Sequence, residues 1–180
     1  MTVLLDMAVS LDGCISAADG SDGGLHDWYF EPTAPSKVVI DELVEEAGAL
    51  LLGRGAFGAG EDADGWDDSP YHVPHIVVTH RPPVRPVGRN IGFVFVDGIA
   101  AAVAAAQEAA GGSIVALGGG ADVARQCLDA GLVDEIQLHI VPVVLDGPLL
   151  FAGYTGDLRL TKLRVVDAPN VTHVRYRVER

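Results

Sequence analysis

Three consecutive glycines, Gly118-Gly119-Gly120, stand between the apolar run Ser113–Leu117 and the segment Ala121–Ala130, and this junction constrains the chain more than any other feature. The apolar run predicts a buried strand, and the segment after the glycines predicts a helix with Asp122 in its first turn. The glycines therefore fall at a helix N-terminus. There the backbone N–H groups lack intrahelical partners, the helix dipole favours negative charge, and missing Cβ atoms let a diphosphate come close. A tight packing turn would use the same residues. The spacing is neither G-x-G-x-x-G nor G-x-x-x-x-G-K-[ST], so neither the Rossmann fingerprint nor the P-loop is met. A nucleotide site here needs another α/β fold.

Chain length and charge narrow the choice. With 180 residues, 49% of them hydrophobic, the chain is expected to form one domain over residues 1–180 with a sizeable core. Its start, Met1-Thr2-Val3-Leu4-Leu5-Asp6, has neither a basic n-region nor a long apolar run, which predicts a cytoplasmic protein without a membrane span. Cys14 and Cys127 are then expected to be reduced and buried. The net charge of −13, with acidic clusters at Asp41–Glu46 and Glu61–Asp68, argues against a nucleic-acid partner. An anionic ligand must be held locally. Arg54 and the group His80, Arg81, Arg85 and Arg89 each follow a short β-like run, as anion contacts or as solvated loop charges. His72, His75 and His80 are separated by a proline and a strand with no completing ligand, so no metal site is expected.

Elements alternate along the first two-thirds of the chain. Strands are expected at Val3–Ser10, Ala49–Leu52, His75–Thr79, Gly92–Val96 and Ser113–Leu117. Helices are expected at Ser36–Ala47, with Ser36 as N-cap, and at Ile99–Ala110, ended by Gly111-Gly112. Three strand-like runs close the chain, at Glu135–Val144, Leu158–Asp167 and Val171–Val178. Helical crossovers between strands imply a mostly parallel sheet, and the last two runs imply an antiparallel hairpin at one edge. The fold class is α/β, a three-layer sandwich. Ligands in such sheets gather at the carboxyl ends of strands. Ser10-Leu11-Asp12-Gly13, Gly53-Arg54-Gly55, Thr79-His80-Arg81 and the three glycines all lie there.

Several of these segments together resemble a known family. Ala8-Val9-Ser10-Leu11-Asp12-Gly13-Cys14-Ile15, Leu51-Leu52-Gly53-Arg54, Val77-Val78-Thr79-His80-Arg81, Leu117-Gly118-Gly119-Gly120 and Leu132-Val133-Asp134-Glu135 look like the dihydrofolate reductase-like superfamily. Within it, the closer likeness is to the reductase domain of bacterial riboflavin biosynthesis. The resemblance implies a central eight-stranded sheet, NADPH as hydride donor and reduction of a pteridine, pyrimidine or similar heterocycle. It also implies a site. Ala8 and Ile15 match positions flanking the nicotinamide, under a loop opened by Leu11–Gly13. Gly53, Arg54 and Gly55 match a turn holding the 2′-phosphate and diphosphate, and Thr79, His80 and Arg81 match the second wall of the 2′-phosphate pocket. A guanidinium fork suits a phosphate dianion. Gly118, Gly119, Gly120, Ala121, Asp122 and Val123 match the turn against the diphosphate. Asp122 would repel that group, so it is read as capping backbone N–H groups.

Departures from the family's pattern bear on the substrate. Ala56 stands where dihydrofolate reductases usually carry a threonine, and the chain has no Trp-x-x-Pro-x-Asp/Glu stretch to grip a pterin, which disfavours folate. Asp12 is a candidate for orienting substrate or an ordinary Asp-Gly turn. Trp28 and Trp66 are candidates for stacking on a flat heterocycle or for packing. Asp41 is a carboxylate in the right region, and Lys37 is a candidate for a substrate phosphate. The expected reaction is hydride transfer to a C=N or C=O carbon, as in reduction of 5-amino-6-(5-phosphoribosylamino)uracil. The alternatives are reduction of dihydrofolate or another small molecule, and a non-catalytic nucleotide- or flavin-binding module. The C-terminal strands, with Tyr176, are expected to pair in a homodimer.

Overall fold

The computed structural model describes residues 1–58, 69–83 and 91–179. Its strands are β1 (Val3–Ser10), β2 (Ala47–Gly53), β3 (His75–Val78), β4 (Phe93–Val96), β5 (Ile114–Leu117), β6 (Glu135–Val141), β7 (Leu160–Ala168) and β8 (Val171–Val178). Helices are α1 (Asp27–Phe30), α2 (Ala34–Glu46), α3 (Arg54–Phe57), α4 (Ile99–Ala110) and α5 (Ala121–Asp129). All eight strands join one sheet in the order β4-β3-β2-β5-β1-β6-β8-β7. The first six pair in parallel, while β8 runs antiparallel to both β6 and β7. The three-layer sandwich with a hairpin edge is the fold expected.

Side-chain alternation along each strand sorts residues between the two faces of the sheet. Val3, Leu5 and Val9 of β1 join Leu51, Val115 and Leu117 in the core that also takes in Ala102, Val103 and Ala106 of α4 and Val123, Ala124 and Cys127 of α5. Leu4 instead packs with Leu43 of α2, and Ala8 with Trp28 of α1. Full burial of each such Val or Leu is worth roughly 1.5–3 kcal/mol, so one strand fastens helices to both faces. By the same alternation Asp6 lies on the face of Leu4 and Ala8. In β6, Ile136 faces the α4 and α5 layer, which turns Gln137 and His139 to the other side.

Local chemistry sets the element ends. Helix α2 starts with Thr33 as N-cap and a proline in its first turn, so the cap lies three residues earlier than the expected Ser36. Pro35 needs no N–H partner there and its fixed φ suits a first turn. The Ser36 hydroxyl is buried inside the fold instead. Gly48 forms a bulge in β2, where a Cβ would come within 2.5 Å of the Ala110 carbonyl at the end of α4. Asp134 accepts a hydrogen bond from the Val3 N–H at 2.9 Å, joining the start of β1 to the start of β6. Cys14 and Cys127 are buried and unpaired, and burial pushes the Cys127 thiol up to about 11. Among the described residues, no helix is long and apolar enough to cross a membrane.

Candidate functional site

On the α1 and α2 side of the sheet lies a cavity of about 580 Å³, floored by residues of β1, β2, β5 and β6. Its wall is mostly apolar, with Val39, Ile40 and Leu43 of α2, Leu50 and Leu52 of β2, and Met7, Ala8 and Ile15 around β1. Such a lining excludes water and leaves recognition to a few placed polar groups. These groups gather at two ends of different construction.

One end is main chain. Gly118, Gly119 and Gly120 line the cavity directly. The Gly118 N–H donates to the Leu51 carbonyl at 3.1 Å, and the Gly53 N–H donates to the Gly119 carbonyl at 3.2 Å. The turns after β2 and β5 are thereby clamped together. Gly119 holds φ +134°, and a Cβ there would sit 2.6 Å from the Cβ of Ala56. Only glycine fits that contact without movement. Gly120 is the N-cap of α5 and supplies no side-chain cap, so the first-turn N–H groups depend on another partner. Asp122 does not provide it, contrary to the capping expectation. Its carboxylate is pulled along the helix by Arg125 at 2.7 Å and Gln126 at 2.6 Å, and the Arg125 bond holds it below the usual carboxylate range. A cavity wall without Cβ atoms at an uncapped helix start fits the diphosphate of a dinucleotide.

The other end is built from side chains. Asp6 Oδ1 accepts from Gln137 Nε2 at 2.9 Å and is 3.0 Å from His139 Nε2. The second imidazole follows, with His139 Nδ1 2.6 Å from His173 Nδ1, and His173 Nε2 3.1 Å from the Ser36 hydroxyl. Strand register produces this row, because Asp6 lies beside Gln137, and Ala8, His139 and His173 stand abreast across three strands. Burial, and then the neighbouring His139, lower the His173 pKa to about 4. Trp28 covers the pair, its ring centroid 4.4 Å from that of His139 and 4.9 Å from that of His173. Tyr29 and Tyr71 share a hydrogen bond, and burial raises both phenols, with the charge of Asp6 adding to the rise. They remain neutral donors at physiological pH.

The residues singled out from sequence divide cleanly. Ala8, Ile15, Gly118, Gly119, Gly120 and Trp28 line the cavity. Gly53 and Val123 stand just behind the glycine wall, with the Val123 side chain 3.0 Å from where a Gly53 Cβ would be. Ala121 begins α5. Arg54 donates to the Gly58 carbonyl and stacks on the Phe57 ring at 5.0 Å, outside the cavity lining. Gly55 follows in the same turn of α3. Since Gly53 pairs with Val78 in register, Arg54 and Thr79 leave adjacent strands at the same sheet end. Thr79 Oγ1 accepts from the Arg81 N–H at 3.0 Å, and exposed His80 pairs with Asp97.

Asp12 lies outside the lining too. It takes bonds from the Ser10 hydroxyl and from the N–H groups of Leu145, at 3.2 Å, and Asp146, at 3.0 Å. The Ser10 bond holds it far below the carboxylate range. Asp12 therefore ties the loop after β1 to the one after β6. Lys37 and Asp41 pair with each other at 2.7 Å on the exposed side of α2, away from the cavity. Trp66 lies outside the described residues. Sequence reading missed Asp6, His139, Tyr29 and Tyr71. A carboxylate interrupting the apolar run Val3–Ser10 was the available signal for Asp6.

Comparison with known proteins places this arrangement. The family model described as the RibD C-terminal domain matches residues 1–174. No curated protein gives a significant match. Among solved structures, a candidate riboflavin biosynthesis protein from Shewanella sp. PV-4 superposes with a TM-score of 0.76 at 23% identity, covering 100% of both chains. The diaminohydroxyphosphoribosylaminopyrimidine deaminase/5-amino-6-(5-phosphoribosylamino)uracil reductase from Thermotoga maritima gives 0.65 at 14% identity over 98% of this chain and 56% of its own. Dihydrofolate reductase from Enterococcus faecalis, solved with NADP(H), gives 0.62 at 16% identity over 99% and 97%. With a family model matched over nearly the whole length and the fold shared with these proteins, the chain belongs to the RibD C-terminal domain family.

Proposed function

We propose that the protein is an NADPH-dependent reductase of the aminouracil type, acting on 5-amino-6-(5-phosphoribosylamino)uracil or a close pyrimidine relative. The observation that carries this reading is the apolar cavity with glycine main chain at one end and a carboxylate at the other. When bound, the reduced nicotinamide supplies the hydride. Gly118–Gly120 and the start of α5 would receive the diphosphate on backbone N–H groups. Arg54 and Arg81, at the ends of neighbouring strands, would meet a 2′-phosphate. The aliphatic floor around Ala8, Ile15 and Leu52 would keep water from the reacting carbon.

The test is a parallel titration with NADPH and NADH, followed by turnover of 5-amino-6-(5-phosphoribosylamino)uracil. Wild type is expected to prefer NADPH, and Arg54→Ala to weaken NADPH about 10-fold, as loss of a charged hydrogen bond does, with NADH little changed. Equal losses for both cofactors would remove Arg54 from the 2′-phosphate site. Absence of binding to either would overturn the reductase reading.

A further inference from the structure

Charge divides the cavity as sharply as material does. Among the described residues that line it, Asp6 is the sole carboxylate, and no lysine or arginine is present. The Asp6 side chain is 17% exposed, and the Gln137 amide and His139 hold its Oδ1 in place. The basic side chains near α2 are drawn to its outer surface instead. Lys37 pairs with Asp41, Arg164 with Glu42, and Arg175 with Glu46 and Glu135. The His26 imidazole does line the cavity, and it lies against the Asp22 carboxylate. A fixed anion in an apolar space repels a second anion strongly, because little solvent screens the pair.

We propose that the cavity selects a substrate without a phosphate, an uncharged ribosylaminopyrimidine in preference to its 5′-phosphate, and that Asp6 sets this specificity. The inference rests on the aminouracil reading and chooses between the substrates that reading allows. An uncharged ribosyl group brings hydroxyl donors that a carboxylate accepts, whereas a phosphate brings a dianion that it repels. Arg54 and Arg81 stand at the glycine end, on the side proposed for the cofactor's 2′-phosphate. A phosphate ester held there would compete with the cofactor. Gln137 and His139 are positioning residues, since they keep the Asp6 carboxylate from turning.

Calorimetric titration with 5-amino-6-ribosylaminouracil and with its 5′-phosphate tests this, with and without NADP⁺, which keeps the pair unreactive. Wild type is expected to bind the uncharged compound at least about 10-fold tighter, as a juxtaposed like charge requires. Asp6→Asn keeps the shape and removes the charge. It is expected to bring the two affinities within about 3-fold of each other, chiefly by tightening the phosphate. Equal binding of both compounds to wild type, tighter binding of the phosphate, or an unchanged preference in Asp6→Asn would overturn the proposal.

Should Asp6→Asn fail to fold, the neutral 5′-dimethyl phosphate ester of the same compound separates charge from size in wild type. It is expected to bind much closer to the uncharged compound than to the phosphate. Binding no tighter than that of the phosphate would assign the discrimination to size and overturn the proposal. Tighter binding of the phosphate together with its turnover by NADPH would overturn this inference and leave the reductase reading standing. Binding of NADP⁺ but of neither uracil would overturn the pyrimidine assignment and this inference with it. The expected preference without binding of NADP⁺ would uphold the inference and overturn the cofactor reading.

Discussion

The two ends of the cavity are made of different material. At the glycine end, the cavity wall is main chain at the junction of β2 and β5, and a Cβ at Gly119 would meet that of Ala56 at 2.6 Å. At the Asp6 end, the polar groups are a row of side chains from β1, β6, β8 and α2 joined by hydrogen bonds, each needing its neighbour. A backbone site tolerates no added volume, whereas a side-chain array tolerates volume better than a lost hydrogen bond. The two ends therefore break in different ways.

The largest effect is expected from Gly119→Val. The φ of +134° disfavours any β-branched residue, and the Cβ meets Ala56 at 2.6 Å. Strain of this kind costs roughly 2–4 kcal/mol, measurable by denaturant unfolding. NADPH affinity should fall by about 100-fold or more, since the displaced wall is the one proposed for the diphosphate. Uracil binding at the far end should change little, and an equal loss there would show that the two ends are not separable.

The side-chain end should instead respond to pH. His173 has a folded-state pKa near 4 against an ordinary 6.5, so on acidification the unfolded chain binds its proton first. Stability from this group is complete above about pH 6.5 and is lost as pH falls toward 4, by up to roughly 3 kcal/mol. His139, Asp6 and Arg164 also act on this imidazole. Denaturant midpoints at pH 7.5 and 4.5 should show the loss in wild type and a smaller difference in His173→Phe. An identical pH dependence in the variant would remove His173 as its source.

The smallest effect is expected from Lys37→Ala. Its ion pair with Asp41 is exposed on both sides, and such pairs contribute about 0.5 kcal/mol or less. Stability and uracil affinity should both stay near wild type. A marked loss of substrate affinity would restore Lys37 as a phosphate contact.

The same contrast explains what could be read from the chain. Glycine spacing, strand-to-helix alternation and the run of Arg54 after Gly53 are local signals, and they located the sheet, its hairpin edge and the glycine wall. The side-chain end has no local signature. Asp6, His139 and His173 are far apart in sequence, and they meet only because β6 lies between β1 and β8. Lys37 and Asp41 show the opposite error, since their nearness along α2 produces a helical ion pair rather than a site. Asp122 likewise found Arg125 one turn away in place of the backbone.

By itself, the sequence determined the α/β class, the succession of elements and the backbone-built glycine turn, because these follow from hydrophobic period and from residues without Cβ atoms. Only the tertiary structure decided which polar side chains share a cavity. Register is a long-range property, and a shift of one residue in β1 would turn Asp6 to the opposite face and leave His139 without its carboxylate.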